Sequence, residues 1–286
     1  MKLGDFTIHL IHAGLTQADA GGPFGLVPRA LFKAYYAPDE NNLVPMSLNC
    51  LFIQTPTQKI LVDTGLGTKL DEKGRANWGL TYPHGTLLDG LGRLGVSPSD
   101  IDLVINTHLH ADHCGGNTMF AEDGATIIPT FPNAEYMVQA RELLDATHPN
   151  ERTRSTYISQ NWDVLRERGQ LRLLYGDTQV AEGIWGILAP GHTPGLMAIR
   201  IESKGEHAAF VCDMASFAVH FERLAWMTAY DIEPMVSLET KRIWQQWAFD
   251  THAVMIFPHE TKRPMGRLIR NAKNQPEIAP LSETWI

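Results

Sequence analysis

The chain has 286 residues, 44% of them hydrophobic and 20% charged, with a formal net charge of -8. A chain of this make-up buries a large core and is not generally disordered. Its acidic balance argues against binding that relies on neutralising a nucleic-acid backbone, which takes a basic face. No run is long and apolar enough to cross a bilayer, and Asp5 and His9 interrupt the start where a signal peptide would need an apolar core. A cytoplasmic protein with neither nucleic-acid nor membrane partner is therefore expected. Three cysteines fit a reducing compartment better than a disulfide framework, and Cys50, Cys114 and Cys212 read as small buried packing residues.

In chain order, β-rich runs come first, at residues 7–13, 48–54 and 59–62, with the turn-forming Thr55-Pro56 between the last two. Leu87, Leu88, Leu91 and Leu94 have helical spacing, and Gly95 follows where a left-handed cap would sit. Ile101, Leu103 and Ile105 alternate with Asp102, Val104 and Asn106, a strand that runs into the densest histidine cluster of the chain. Residues 133–168 are polar and helical in flavour, with helices expected at 135–146 and 157–168, an insertion placed to cover a site. Strands return at 171–175, 184–188, 197–201 and 208–211. A helix from Ser237 follows, with Ser237 as N-cap and Ile243, Trp244, Trp247 and Ala248 on its buried face; a last strand spans 253–257.

Residues 107–116 read THLHADHCGG and place His108, His110, Asp112 and His113 within six residues. Imidazole suits zinc and similar transition metals, and the aspartate supplies either an oxygen ligand or a proton acceptor. His192 in GHTPG, Asp213 and His259 each follow an apolar strand. Ligands at one edge of a sheet converge in space, and rigid strands hold them to the tolerance a metal needs. Together these residues exceed what one zinc requires and fit two metals that share a carboxylate.

With this pattern the sequence resembles the metallo-β-lactamase superfamily, whose HxHxDH signature it carries as His108, His110, Asp112 and His113. The resemblance implies a four-layer αββα sandwich of two mixed sheets over residues 1–286 as a single domain, with an N-terminal loop at 20–45. It implies two divalent metal ions, zinc the leading candidate: His108, His110 and His192 for the first, Asp112, His113 and His259 for the second, Asp213 bridging. Residues 62–65, VDTG, look like the family's early strand and turn, where the aspartate, here Asp63, supports the site without binding metal. Residues 22–32, GPFGLVPRALF, resemble the start of the methyl parathion hydrolase and lactonase-like branch, as a pocket wall or a homodimer contact.

The intact His110 differs from the glutamate typical of the redox di-iron branch, so hydrolysis is favoured. In acyl-homoserine lactonases a tyrosine follows the bridging aspartate by three positions; here Ser216 stands there. Leu196 after GHTPG replaces the histidine common in thioesterase-like members. The expected function is hydrolysis of a small-molecule lactone or ester by an activated, metal-bridging water, with promiscuous phosphotriester cleavage. Asp112, Asp213 and His220 are the expected catalytic residues. The rivals are a phosphodiesterase or nuclease, and a catalytically silent metal-binding interaction module.

Overall fold

Side chains of the central strands alternate between two apolar environments, and that alternation sets the layers. The computed structural model describes residues 1–281. Its first half contains β1 (Lys2–Leu3), β2 (Phe6–Asp19), β3 (Leu43–Gln54), β4 (Lys59–Val62), β5 (Leu103–Ile105), β6 (Thr118–Phe120), β7 (Ile127–Pro129), β8 (Glu135–Gln139) and β9 (Leu171–Leu174). The second half contains β10 (Thr178–Ala181), β11 (Ile184–Leu188), β12 (Met197–Ser203), β13 (Glu206–Phe210), β14 (Val254–Ile256), β15 (Met265–Arg270) and β16 (Pro276–Pro280). They form two seven-stranded sheets, ordered β1-β2-β3-β4-β5-β8-β9 and β10-β11-β12-β13-β14-β15-β16, with β6 and β7 paired separately. Both sheets are mixed: β4, β5, β8 and β9 run parallel in the first, β13 and β14 in the second.

Ile60 and Val62 of β4 and Leu103 and Ile105 of β5 belong to the core shared with Ile199, Phe210 and Ile256 of the other sheet. Leu61 and Val104, one residue out of phase, belong to the cluster covered by Leu87, Leu91 and Leu165. Apolar residues on both faces are what a central parallel strand needs when helices cover its outer side. Helix Leu87–Arg93 starts at the Thr86 cap, closed reciprocally by Asp89, and Gly95 beyond it takes the left-handed φ of 70°. Against the second sheet, helix Pro234–Thr251 packs Trp244 and Ala248. The result is the αββα sandwich of two mixed sheets that the resemblance implied.

The stretch 133–168 departs from the helices expected of it. Tyr136, Met137 and Val138 are buried, and β8 pairs with β5 and β9; helix begins only at Ala140 and ends at Thr147. Hydrogen bonding to two neighbouring strands outweighs a helical spacing of apolar residues. The second expected helix contracts to a turn, Ser159–Asn161, and a short helix, Asp163–Glu167. The last long helix starts at Pro234, whose missing N–H costs nothing at that position, and not at Ser237. Ser237 lies inside it, buried, with Oγ donating to Asp231 Oδ2 at 2.8 Å. Ile243, expected inward, is 68% exposed; buried Lys241 instead donates to the carbonyls of His220 and Trp226.

Residues 20–45 carry two short helices, Gly21–Phe24 and Arg29–Phe32. Phe24 and Phe32 stack at 4.3 Å and join Phe217 and Val219 in a separate apolar cluster. Among the described residues no helix is long and apolar enough to cross a membrane.

Gly116 lies where the loop after β4 crosses the histidine-bearing loop, and a Cβ there would meet the Thr64 carbonyl oxygen at 2.3 Å. Gly116→Ala is expected to destabilise the fold by about 1–3 kcal/mol, the range for overpacking a dense interior. The readout is a lower urea midpoint at unchanged slope. Gly92→Ala, with open space around its Cβ, is expected to leave the midpoint unchanged or slightly raised.

Candidate metal centre

Strand direction brings the candidate ligands to one edge. β13 and β14 are parallel, so Asp213 and His259, which follow them, emerge on the same side. β11 runs the same way as β13, two antiparallel steps removed through β12, and adds His192. β5 of the facing sheet leads into Thr107, whose carbonyl accepts from Met197 N–H at 3.0 Å, and thereby joins the two sheets beside the site. His108 and His110 follow on that loop, and the short helix Ala111–Cys114 carries Asp112 and His113.

The side chains able to hold a metal form three overlapping groups among the described residues: His108 with His110 and His192, Asp112 with His113 and His259, and His108 with His113 and Cys212; the first two hold only residues named from the sequence as ligands. His192 Nε2 stands 3.1 Å from His110 Nδ1, and His113 Nε2 stands 3.2 Å from His259 Nε2. Asp213 lies between the first two groups: Oδ2 is 3.3 Å from both His192 Nε2 and His113 Nε2, and Oδ1 is 3.0 Å from His259 Nε2. Asp112 Oδ2 is 3.7 Å from the Nε2 atoms of His113 and His259. Every residue named from the sequence as a ligand therefore lies in this cluster.

Three of the imidazoles are aimed from behind. His192 Nδ1 bonds Asp231 Oδ1 at 3.1 Å, His113 Nδ1 bonds Asp63 Oδ2 at 2.9 Å, and His259 Nδ1 donates to the Ser47 carbonyl at 2.8 Å. Such partners fix the ring and leave the other nitrogen's lone pair free for a cation. Glu142, buried on the helix after β8, accepts from Leu109 N–H, Tyr157 Oη and Thr193 Oγ1, and so ties the His108–His110 loop to the His192 loop.

The donor set fits a metal. His108 Nε2 is buried without a hydrogen-bond partner among the described residues, although it faces the other ligands. Burial, then the neighbouring imidazoles, pushes His108 and His110 well below the ordinary histidine range, so both are neutral with lone pairs to give. Burial also opposes charge on His113 and His192, but Asp213 chiefly overturns this and raises both. Burial opposes charge on Asp213 as well, yet His259, His113 and His192 hold it well below the carboxylate range. A cation entering this cluster takes over the protons' place on those rings. Imidazole nitrogens with carboxylate oxygens are the ligand chemistry of zinc and its neighbours.

One sequence expectation changes. His220 does not line the cavity over the cluster; it is buried against Phe24 and Phe217, ring centroids 5.6 and 5.4 Å away. Burial pushes it down to about 3, with Lys241 adding to the effect, and neither ring nitrogen has a hydrogen-bond partner among the described residues. The short helix Ala218–Glu222 is wholly buried, so a histidine on it packs instead of reaching substrate. Asp231 and Glu142 went unnoticed in the sequence, where no spacing links them to a ligand. Cys114 and Cys212 are free and buried; Cys212 Sγ–H donates to Thr107 Oγ1 and lies 3.6 Å from His108 Nδ1, behind the ring.

Residues 43–240 match the sequence profile of the Metallo-beta-lactamase superfamily. Over 240 residues the chain is 26% identical to an N-acyl homoserine lactonase of Bacillus sp, covering 78% of this chain and 85% of the relative. The solved structure of a probable metal-dependent hydrolase from Staphylococcus aureus superposes with TM-score 0.89 at 30% identity, over 99% of this chain and 100% of that one. AidC, a dizinc quorum-quenching lactonase solved with a product, superposes with TM-score 0.78 at 22% identity over 99% and 97% of the two chains, a likeness of fold. The chain belongs to the metallo-beta-lactamase superfamily. It is a metal-dependent hydrolase.

Asp231 holds the His192 ring and is itself held by Thr228 Oγ1 and Ser237 Oγ, each at 2.8 Å. Asp231→Asn is expected to weaken metal binding by about 10–100-fold, the usual effect of losing such a partner. Competition with a chromophoric chelator measures it. Unchanged affinity with a lowered unfolding midpoint would assign Asp231 to the fold alone.

Proposed function

We propose that the chain hydrolyses a lactone or ester at a pair of divalent cations, zinc by preference. His108, His110 and His192 would hold one ion, and Asp112, His113 and His259 the other. The observation that carries this reading is Asp213, whose two oxygens approach imidazoles of both groups. The ions, when bound, supply Lewis acidity toward the substrate oxygen and toward an attacking water. Asp213 holds the two groups in one geometry. Asp112, whose side chain reaches the cavity, takes up the proton released by the water and returns it to the departing alkoxide.

The cavity above the cluster has a volume of about 600 Å³ and places Met46, Trp78, Tyr230 and Ile232 beside the ligands. Its lining includes Asp19 and a single basic side chain, Arg152, among the described residues. Such walls favour an uncharged, partly apolar substrate over an anionic phosphodiester or nucleic acid. Neutral phosphotriesters meet the same condition and form the expected promiscuous activity. The same reading takes residues 1–286 as one domain of a cytoplasmic protein. Leu26 and Leu31, 102% and 54% exposed, give the N-terminal loop a surface through which two copies would pair.

Metal-reconstituted protein assayed on lactones, aryl esters, organophosphate triesters and bis-aryl phosphodiesters tests the reading. Lactones and esters are expected to lead, with activity lost in chelator and in His110→Ala. A phosphodiester as the preferred substrate would replace this reading with its rival. Two bound metals with no turnover of any class would leave a binding module.

A further inference from the structure

We infer that the Tyr230 phenol donates a hydrogen bond to the substrate's carbonyl oxygen during cleavage. The inference rests on the lactone or ester reading above. Ser216 is buried, and its hydroxyl is turned to Asp213 Oδ1 at 3.4 Å. A serine side chain held that way offers nothing to a substrate in the cavity. The cavity lining contains one phenol among the described residues, and it is Tyr230.

The backbone around Tyr230 is built into the metal centre. Asp231 bonds the His192 ring, Ile232 N–H donates to the His192 carbonyl at 3.2 Å, and Glu233 N–H donates to the Gly191 carbonyl at 2.8 Å. Ala229 N–H, on the other side, donates to the Gly22 carbonyl at 2.8 Å. The turn is thus pinned between the His192 loop and the first short helix, and its one free side chain projects at the cavity wall. The phenol lies over Gly22: an ideal Cβ there would fall 1.8 Å from the phenol oxygen and 2.4 Å from Cζ. Glycine at position 22 therefore leaves the space the ring occupies.

Among the described residues no acceptor takes the Tyr230 hydroxyl, so its proton is available to a ligand. Burial, followed by the nearby charges of Asp112, Asp19 and Asp213, pushes the phenol up to about 12. It remains a donor throughout the neutral range. A donor on the cavity wall that meets an oxygen gaining negative charge acts more strongly in the transition state than in the ground state, so its removal lowers kcat more than it raises KM.

Two variants test this by different routes. Tyr230→Phe removes the hydroxyl and keeps the ring; Gly22→Ala keeps the hydroxyl and displaces it, on a backbone that alanine tolerates. With metal-loaded protein and the best lactone of the wild type, each is expected to lower kcat by about 10–100-fold, with little change in KM. Metal content by elemental analysis and the thermal midpoint are expected to stay at wild-type values. Because both act on one group, the double variant is expected to be no slower than Tyr230→Phe alone. Wild-type kcat in Tyr230→Phe would overturn the inference, as would a raised KM at unchanged kcat, which would make Tyr230 a wall. A wild-type protein that cleaves no lactone or ester would instead overturn the proposed function.

Discussion

Imidazole nitrogens aimed at one another across 3.1 and 3.2 Å, in a pocket closed to water from behind, are the constraint on which the rest of the structure depends. A hydrogen bond consumes one proton per pair, and the orphaned His108 Nε2 shows that protons do not satisfy the set. The arrangement makes physical sense around cations, which accept several lone pairs at once and neutralise the carboxylates between them. The sandwich provides the rigidity: β5 and β14 are buried throughout, and the loops that carry His108, His110 and His259 follow them.

Two of the six non-glycine residues with left-handed backbone among the described residues lie at the same place. Asp63 adopts φ 57° and Cys212 φ 52°, the left-handed region that ordinary residues avoid at a cost of about 1–3 kcal/mol each. Asp63 accepts from Thr107 N–H and Oγ1 and bonds His113 Nδ1. One carboxylate thereby joins the end of β4 to the end of β5 and to the helix that carries the second group of ligands. Cys212 turns the chain immediately before Asp213. The two unfavourable conformations sit at the corners that set the carboxylate and the imidazole nearest the shared position, which is where the surrounding hydrogen bonds can hold them.

The side chains that cluster at the sheet edge were legible in the sequence for two different reasons. His108, His110, Asp112 and His113 are crowded by chain adjacency, and His192, Asp213 and His259 each terminate an apolar run that could be read as a strand. β8 was not legible because EYMVQARELLDA spaces its apolar residues helically, and the decision between strand and helix lies with neighbours distant in sequence. Asp231 and Glu142 were hidden for a related cause: a carboxylate that orients a ligand needs only to lie behind it in space. His220 misled in the opposite sense, since proximity to Asp213 along the chain says nothing once the intervening residues turn into a buried helix.

The metal floor cannot by itself choose a substrate, because its chemistry acts equally on carbonyl carbon and phosphorus. Choice has to come from the walls, and these come from segments that share no strand: the end of β2 near Thr16 and Asp19, the residues around Trp78, the loop at Arg152 and the turn at Tyr230. β2 reaches that far because it runs 14 residues and, beyond a register shift between His12 and Leu15, stays paired with β3 out to Asp19. An extended strand, a helix end and two loops thus meet above one edge, each anchored by its own backbone bonds. Substitutions there alter shape and polarity without touching a ligand, so substrate preference can change while the centre that does the chemistry is preserved.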